Sequence, residues 1–194
     1  FLTHDETDYE SIGGTIDDAA GEAFDKVGKI LGLGYPAGPE IDAIAQTGNE
    51  KAIQFPRSYL KKGSLDFSFS GLKTAVLYHC MGQNSKNTSE IPKLTDQEIA
   101  DVAASFQEAV VDVLVDKTIF AANKFSSKSI IIGGGVACNS RLRQKLTDAA
   151  KRRNIPLFYP SKKLCMDNAA MVAGLAFHKY EEKEFSNLEV EAIP

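Results

Sequence analysis

Apolar side chains recur at three- and four-residue spacing through Ile16, Ala19, Ala20, Ala23, Phe24 and Val27, which predicts an amphipathic helix that starts after Thr15 and runs out near Gly32 to Gly34. Asp17, Asp18 and Glu22 fall near its N-terminus, where acidic side chains complement the helix dipole. Tyr35-Pro36-Ala37-Gly38-Pro39 then reads as a rigid turn, because both prolines fix φ and Gly38 can adopt the positive φ that other residues avoid. Residues 40–47 are expected to form a short helix after it. Leu65-Asp66-Phe67-Ser68-Phe69 alternates with the period of two of a short strand with one buried face, and a helix is expected from Ser70 to about Tyr78. Residues 81–94 are rich in Gln, Asn, Ser, Thr and Lys, include Pro92, and read as a loop.

The best-defined helix begins at Thr95-Asp96-Gln97-Glu98, a capping box in which the Thr hydroxyl and Glu carboxylate each satisfy an orphan backbone donor. Ile99, Val102, Ala103, Phe106, Val110, Val113 and Leu114 carry its apolar pattern to an end near Phe125. Residues 129–132 predict a buried, β-branched strand that runs straight into Gly133-Gly134-Gly135. A basic helix at 140–153, a strand at 156–159 and a small-residue-rich helix at 167–180 complete the order. Alternating helix and strand argues for an α/β layer with a largely parallel sheet in the second half.

Composition narrows this little. The 194 residues suffice for one large domain or one lobe of a bigger protein. The longest apolar run, residues 169–177, is about half of what a membrane span needs, so no membrane insertion is expected. Three cysteines, Cys80, Cys138 and Cys165, have no metal-like spacing and suggest reduced thiols in a cytosolic or organelle-matrix setting. The start at Phe1, without Met or a signal peptide, reads as a chain that begins in mid-protein. A net charge of −4 does not advertise nucleic-acid binding, but its distribution is uneven. Residues 1–25 carry eight acidic side chains and no Lys or Arg, whereas residues 141–163 carry eight cations against Asp148 alone.

Three motifs offer chemistry. A strand ending in Gly133, Gly134 and Gly135 lets backbone amides approach an anion or a flat ring with no Cβ in the way, and Asn139 follows at the mouth of the next helix. Nucleotide binding is one reading; a turn built for tight packing is the other. It is neither a P-loop, lacking Gly-Lys-Ser/Thr, nor the dinucleotide fingerprint, because position 138 is Cys. In Cys165-Met166-Asp167-Asn168-Ala169-Ala170, Asp167 is either a helix cap or a carboxylate offered to a metal ion. In Asp17-Asp18-Ala19-Ala20-Gly21-Glu22-Ala23-Phe24-Asp25-Lys26, Asp18 and Asp25 lie two helical turns apart. They can face one cleft as acceptors for sugar hydroxyls or form a solvated acidic face.

Taken together these blocks resemble the TsaD family, the tRNA N6-adenosine threonylcarbamoyltransferases once described as O-sialoglycoprotein endopeptidases or glycoproteases. The resemblance rests on Thr15 to Lys26, Tyr35 to Pro39, Phe67 to Thr74, Gly133 to Asn139 and Met166 to Ala170, in the family's order and close to its spacing, and is nearest the bacterial or organellar branch. It implies an actin-like ATPase (ASKHA, RNase H-like) lobe with helical insertions. Residues 1–12 would be a leader left from an N-terminal lobe or linker, residues 13–182 the nucleotide-binding lobe, and residues 183–194 an acidic tail. The implied reaction transfers a threonylcarbamoyl group from threonylcarbamoyl-AMP to N6 of the adenine 3′ of the anticodon in ANN-decoding tRNAs. Asp25, Gly38, Asp42 and Asn139, with the Gly133–Gly135 run, would contact that ligand or ATP or ADP. Asp167 would be a catalytic residue and a ligand of one divalent iron or zinc ion. From its charge alone, the basic segment with Arg141, Arg143, Arg152 and Arg153 is either a set of contacts to tRNA phosphates or a solvated helix face.

The resemblance also implies partners: an adenylate-forming synthase, an inactive paralogue and an accessory ATPase in bacteria, or a homodimer in organelles. The expected location is the cytoplasm or a mitochondrial or plastid matrix. One departure stands out. The family's other two metal ligands lie in a His-x-x-x-His motif, and the only histidines here are His4, His79 and His178, none at that spacing. The chain therefore looks like a C-terminal part, inactive alone. The alternative is a non-catalytic adenylate-binding module or regulatory paralogue; a metalloprotease is disfavoured because no His-Glu-x-x-His occurs.

Overall fold

A computed structural model describes residues 1–82, 93–187 and 189. Most of the loop expected at 81–94, and residues 188 and 190–194 of the tail, lie outside them. The first helix, α1 (Ala20–Ile30), begins later than its apolar pattern suggests. Its start is fixed by Glu22, whose Oε2 accepts the Ala19 amide at 3.3 Å, and Ile16 is left outside and exposed. A helix α2 (Gly38–Ile44), extended by a 3₁₀ turn over Ala45–Thr47, follows the proline turn.

Asp17 does not serve α1. It reaches across to α3 (Ser70–Met81), where its carboxylate accepts the amides of Phe69 and Ser70 at 2.8 and 3.3 Å and the hydroxyls of Ser68 and Ser70 at 2.5 and 2.7 Å. Slight burial pushes this carboxyl up, but the four donors outweigh it and hold it well below the ordinary carboxylate value of 3.8. The group thus caps a helix more than fifty positions away in the chain. Asp17→Ala should lower stability by about 1–2 kcal/mol at neutral pH, a figure discounted for solvent exposure. Because the folded value lies below the unfolded one, this contribution is fully present above the ordinary carboxylate range and fades as pH falls through it. Denaturant titrations of both proteins should show the gap closing on acidification; a gap constant with pH would refute the capping role.

The helix α4 (Asp96–Lys124) has the capping box read from sequence: Thr95 Oγ1 accepts the Glu98 amide at 3.3 Å and Glu98 Oε2 accepts the Thr95 amide at 2.7 Å. It runs through two apolar clusters. Its first half packs Val102, Phe106 and Val110 against Phe24, Val27, Ile41, Leu72 and Val76 of α1, α2 and α3. Its second half packs Val111, Val115 and Ile119 against β3 (Ile130–Ile131) and α5 (Ser140–Lys151). Strand β3 pairs in parallel with β4 (Leu157–Phe158), Ile130 opposite Leu157, the parallel pairing anticipated from the alternation of elements. The expectation of a strand buried on both faces fails at Ile131, which is 71% exposed because no described element covers that side.

The period-two alternation expected at residues 65–69 is kept only at its ends: Leu65 and Phe69 are buried, residues 66–68 are all half-buried, and the segment forms one parallel bridge, Thr15 with Phe67, rather than a strand. Lys117 of α4 explains how this segment is held. Buried and without a carboxylate partner among the described residues, it donates to the carbonyls of Tyr59 and Ser64 at 3.1 Å each and to that of Asp66, and lies over the Phe67 ring. The first ten residues form a small hairpin of β1 (Leu2–Thr3) and β2 (Tyr9–Glu10), and the Thr7 hydroxyl donates to Glu182 at 2.7 Å. That contact reaches the end of α6 (Ala169–Glu181), a helix with no buried residue. No helix among the described residues is long and apolar enough to cross a membrane.

Candidate functional site

The chain leaves β3 through glycines that nothing crowds. A Cβ built on Gly133, Gly134 or Gly135 would meet no atom within 4 Å, and Gly134 takes φ +82°, a left-handed conformation in which any side chain is strained. No described group takes the Gly133 or Gly134 amide hydrogens. A 3₁₀ turn, Gly135–Cys138, then leads into α5. A Cβ built on Gly21 of α1 would come 3.6 Å from Val136 Cγ2 of this turn, so the first turn of α1 abuts the glycine run.

The mouth of α5 is braced by two residues singled out from sequence. Asn139 is its N-cap and is buried: its Oδ1 accepts the Leu142 amide at 2.9 Å and its Nδ2 donates to Gln107 of α4 at 2.6 Å. Asp42 of α2 accepts the Ser140 amide at 3.0 Å and its hydroxyl at 2.8 Å. Both side chains therefore spend most of their hydrogen-bonding capacity within the protein, and the exposed donors at this end are those of the glycine run. Asp25 lies one turn beyond Gly21 and accepts the Ala37 amide at 2.8 Å, which fixes the proline turn and Gly38 after it. An open hollow of about 570 Å³ adjoins it, lined by Glu22, Asp25, Lys26, Lys29 and Tyr35.

Asp167 reaches the neighbourhood through Arg143. The guanidinium donates from Nε to Ala137 O at 2.6 Å and from Nη2 to Pro160 O at 3.1 Å, contacts Cys165 Sγ at 3.3 Å, and lies over the Tyr159 ring. It thereby ties the segment leading to Asp167 to the glycine turn. Asp167 itself is exposed. The cap of α6 is Asn168, whose Oδ1 accepts the Met171 amide at 3.1 Å, so the helix-cap reading of Asp167 is set aside. Among the described residues no three His, Cys, Asp or Glu side chains gather around a common point. A single exposed carboxylate does not make a divalent-metal site, which needs about three protein donors. His79 stands edge-on to Phe55 and His178 to Phe177.

The basic segment is not the continuous free surface expected of a phosphate-binding strip. Arg141 makes a fork with Glu108, Nε to Oε2 at 2.7 Å and Nη2 to Oε1 at 3.0 Å, while Lys145 pairs with Glu108 at 2.6 Å and with Asp112. Burial pushes the Glu108 carboxyl up, but the two cations outweigh it and hold it below the ordinary glutamate range. Arg141 and Arg143 thus serve as internal struts, and Arg152 and Arg153 remain exposed past the end of α5. Gln107, Glu108, Asp112 and Ser140 were not among the residues the sequence pointed to. A signal for two of them is present: Glu108 and Asp112 repeat at the four-residue interval of Arg141 and Lys145, which suits two facing helices.

Comparison with known proteins bears on this arrangement directly. The family model described as tRNA N6-adenosine threonylcarbamoyltransferase, TsaD, matches residues 1–174. A curated Moorella thermoacetica protein of that name is 48% identical over 192 residues, 98% of this chain and 54% of its own length. A Desulfotalea psychrophila protein of that name is 52% identical over 181 residues, 93% of this chain and 51% of its own. One from Kosmotoga olearia is 47% identical over 193 residues, 100% and 55% respectively. The chain spans about half the length of the curated relatives it matches.

Proposed function

The chain belongs to the tRNA N6-adenosine threonylcarbamoyltransferase family, and from that premise we propose that it is the adenylate-binding lobe of such an enzyme, with the actin-like (ASKHA) architecture of the family. The reaction is attack by the N6 amine of a tRNA adenine on the carbamoyl carbonyl of threonylcarbamoyl-AMP, with AMP as leaving group. In this reading the lobe works by positioning and by charge stabilisation rather than through a covalent intermediate. The open amides of Gly133 and Gly134 receive the phosphate or adenine of the ligand. Asp25, Gly38 and Asp42 face its ribose, and Asn139 fixes the height of the turn beneath it. The exposed Arg152 and Arg153 are the arginines left to meet tRNA phosphates. Asp167 would contribute one oxygen donor toward iron or zinc, and the described residues do not supply the other ligands. The synthase, the paralogue, the accessory ATPase or homodimer partner, and the cytoplasmic or organelle-matrix location belong to the same proposal.

The observation that carries this reading is the empty space before a glycine run against which the first turn of α1 packs and beside which Asn139 and Asp42 brace α5. It offers a direct test. In Gly135→Val the new side chain enters space that no protein atom occupies, at a position without positive φ, so stability should change little. Binding of ATP or a non-hydrolysable threonylcarbamoyl-AMP analogue, followed by calorimetry, should weaken at least about tenfold, equivalent to ~1.4 kcal/mol. Equal affinity in the two proteins would remove the glycine run from the ligand site.

A further inference from the structure

Two of the three cysteines meet beside the glycine turn. The half-buried Cys138 thiol donates to Lys162 O at 3.5 Å, and the Cys165 amide reaches the same oxygen at 3.4 Å. The buried Cys165 thiol donates to Pro160 O at 3.8 Å, and its sulfur lies 3.3 Å from Arg143 Nη2. Arg143 also grips Ala137 O, on the residue before Cys138, so one guanidinium holds both ends of the pair together. The third cysteine, Cys80, packs against the other apolar cluster, on α3. Nothing in the proposed transfer reaction uses either thiol.

We propose that Cys138 and Cys165 close reversibly into a disulfide, a redox-responsive staple between the glycine turn and the segment that leads to Asp167. In a reducing compartment such pairs are transient rather than structural, and here the shared Lys162 carbonyl and the Arg143 guanidinium already hold the two residues at one place. The oxidant is a small-molecule disulfide such as oxidised glutathione. The more exposed Cys138 sulfur attacks it and releases one glutathione thiol, and the Cys165 sulfur then displaces the second glutathione from the mixed disulfide. Two cysteine S–H bonds and the glutathione S–S bond are consumed. One protein S–S bond and two glutathione S–H bonds form, so the two electrons lost by the cysteines reduce the glutathione. The staple would fix Asn139 and Asp167, each next or nearly next to a bridged residue, at a constant separation. The bridge stands or falls independently of the transfer reading.

The chain equilibrated in glutathione buffers of rising oxidation should lose two of its three free thiols in one step with a common midpoint. Peptide mapping should recover Cys138 joined to Cys165, and Cys80→Ser should still lose two thiols. Cys138→Ser and Cys165→Ser should show no internal link. Three thiols persisting in the fully oxidised buffer, glutathione mixed disulfides alone, or a link through Cys80 would each overturn the proposal.

Discussion

Phe106→Ala is expected to cost about 3–5 kcal/mol, the largest loss of any single truncation considered for this chain. Phe106 has no exposed surface and stands edge-to-face with Phe24, ring centroids 5.1 Å apart. It touches the residues through which α4 holds α1, so truncation removes an aromatic ring from the middle of the first cluster and leaves a space the surrounding helices cannot close. Against total stabilities of about 5–15 kcal/mol, this removes a large fraction of what holds the chain folded. Urea denaturation is the measurement. Phe106→Leu, which refills much of the volume, should recover most of the loss; equal losses in the two variants would mean that the ring is not packed as described.

Gly28→Ala is the second. In an exposed helix this exchange stabilises by roughly 1 kcal/mol. Here the added Cβ would come within 2.1 Å of the Ala37 Cβ, both atoms on rigid stems with no rotamer to turn away. The clash decides the sign: a net loss of about 2–3 kcal/mol is expected, in the range of overpacked cores. The displacement would also bear on ligand binding, because Ala37 is the residue whose amide Asp25 holds and which precedes Gly38. Denaturation midpoints and adenylate affinity measured together should both fall. A stabilised variant would show that the turn does not rest on α1 at Gly28.

Much of this frame was legible in the chain. The Thr95 to Glu98 cap, the long helix after it and the parallel strands each depend on residues a few positions apart, where the side-chain period or a local hydrogen bond determines the outcome. What escaped was long-range. Asp17 looked like part of the first helix because its neighbours have helical spacing, yet its donors are on Phe69, Ser68 and Ser70. Arg141 and Arg143 looked like ligands for phosphate because nothing local neutralises them. Their partners, Glu108 on one side and Ala137, Pro160 and Cys165 on the other, become neighbours only when α5 packs on α4 and the chain returns through β4. The candidate site was legible as a set of residues, but not which of them act as braces: Asn139 and Asp42 carry the signature of a binding position and are at once fixtures of the mouth of α5.

The long helix α4 belongs to both apolar clusters, with Phe106 and Val110 in one and, from the very next residue, Val111 and Val115 in the other. Neither half can melt without stripping that shared rod of partners along one of its halves and exposing apolar surface to water. A substitution that loosens one cluster is therefore expected to weaken the other as well, through the one helix they share.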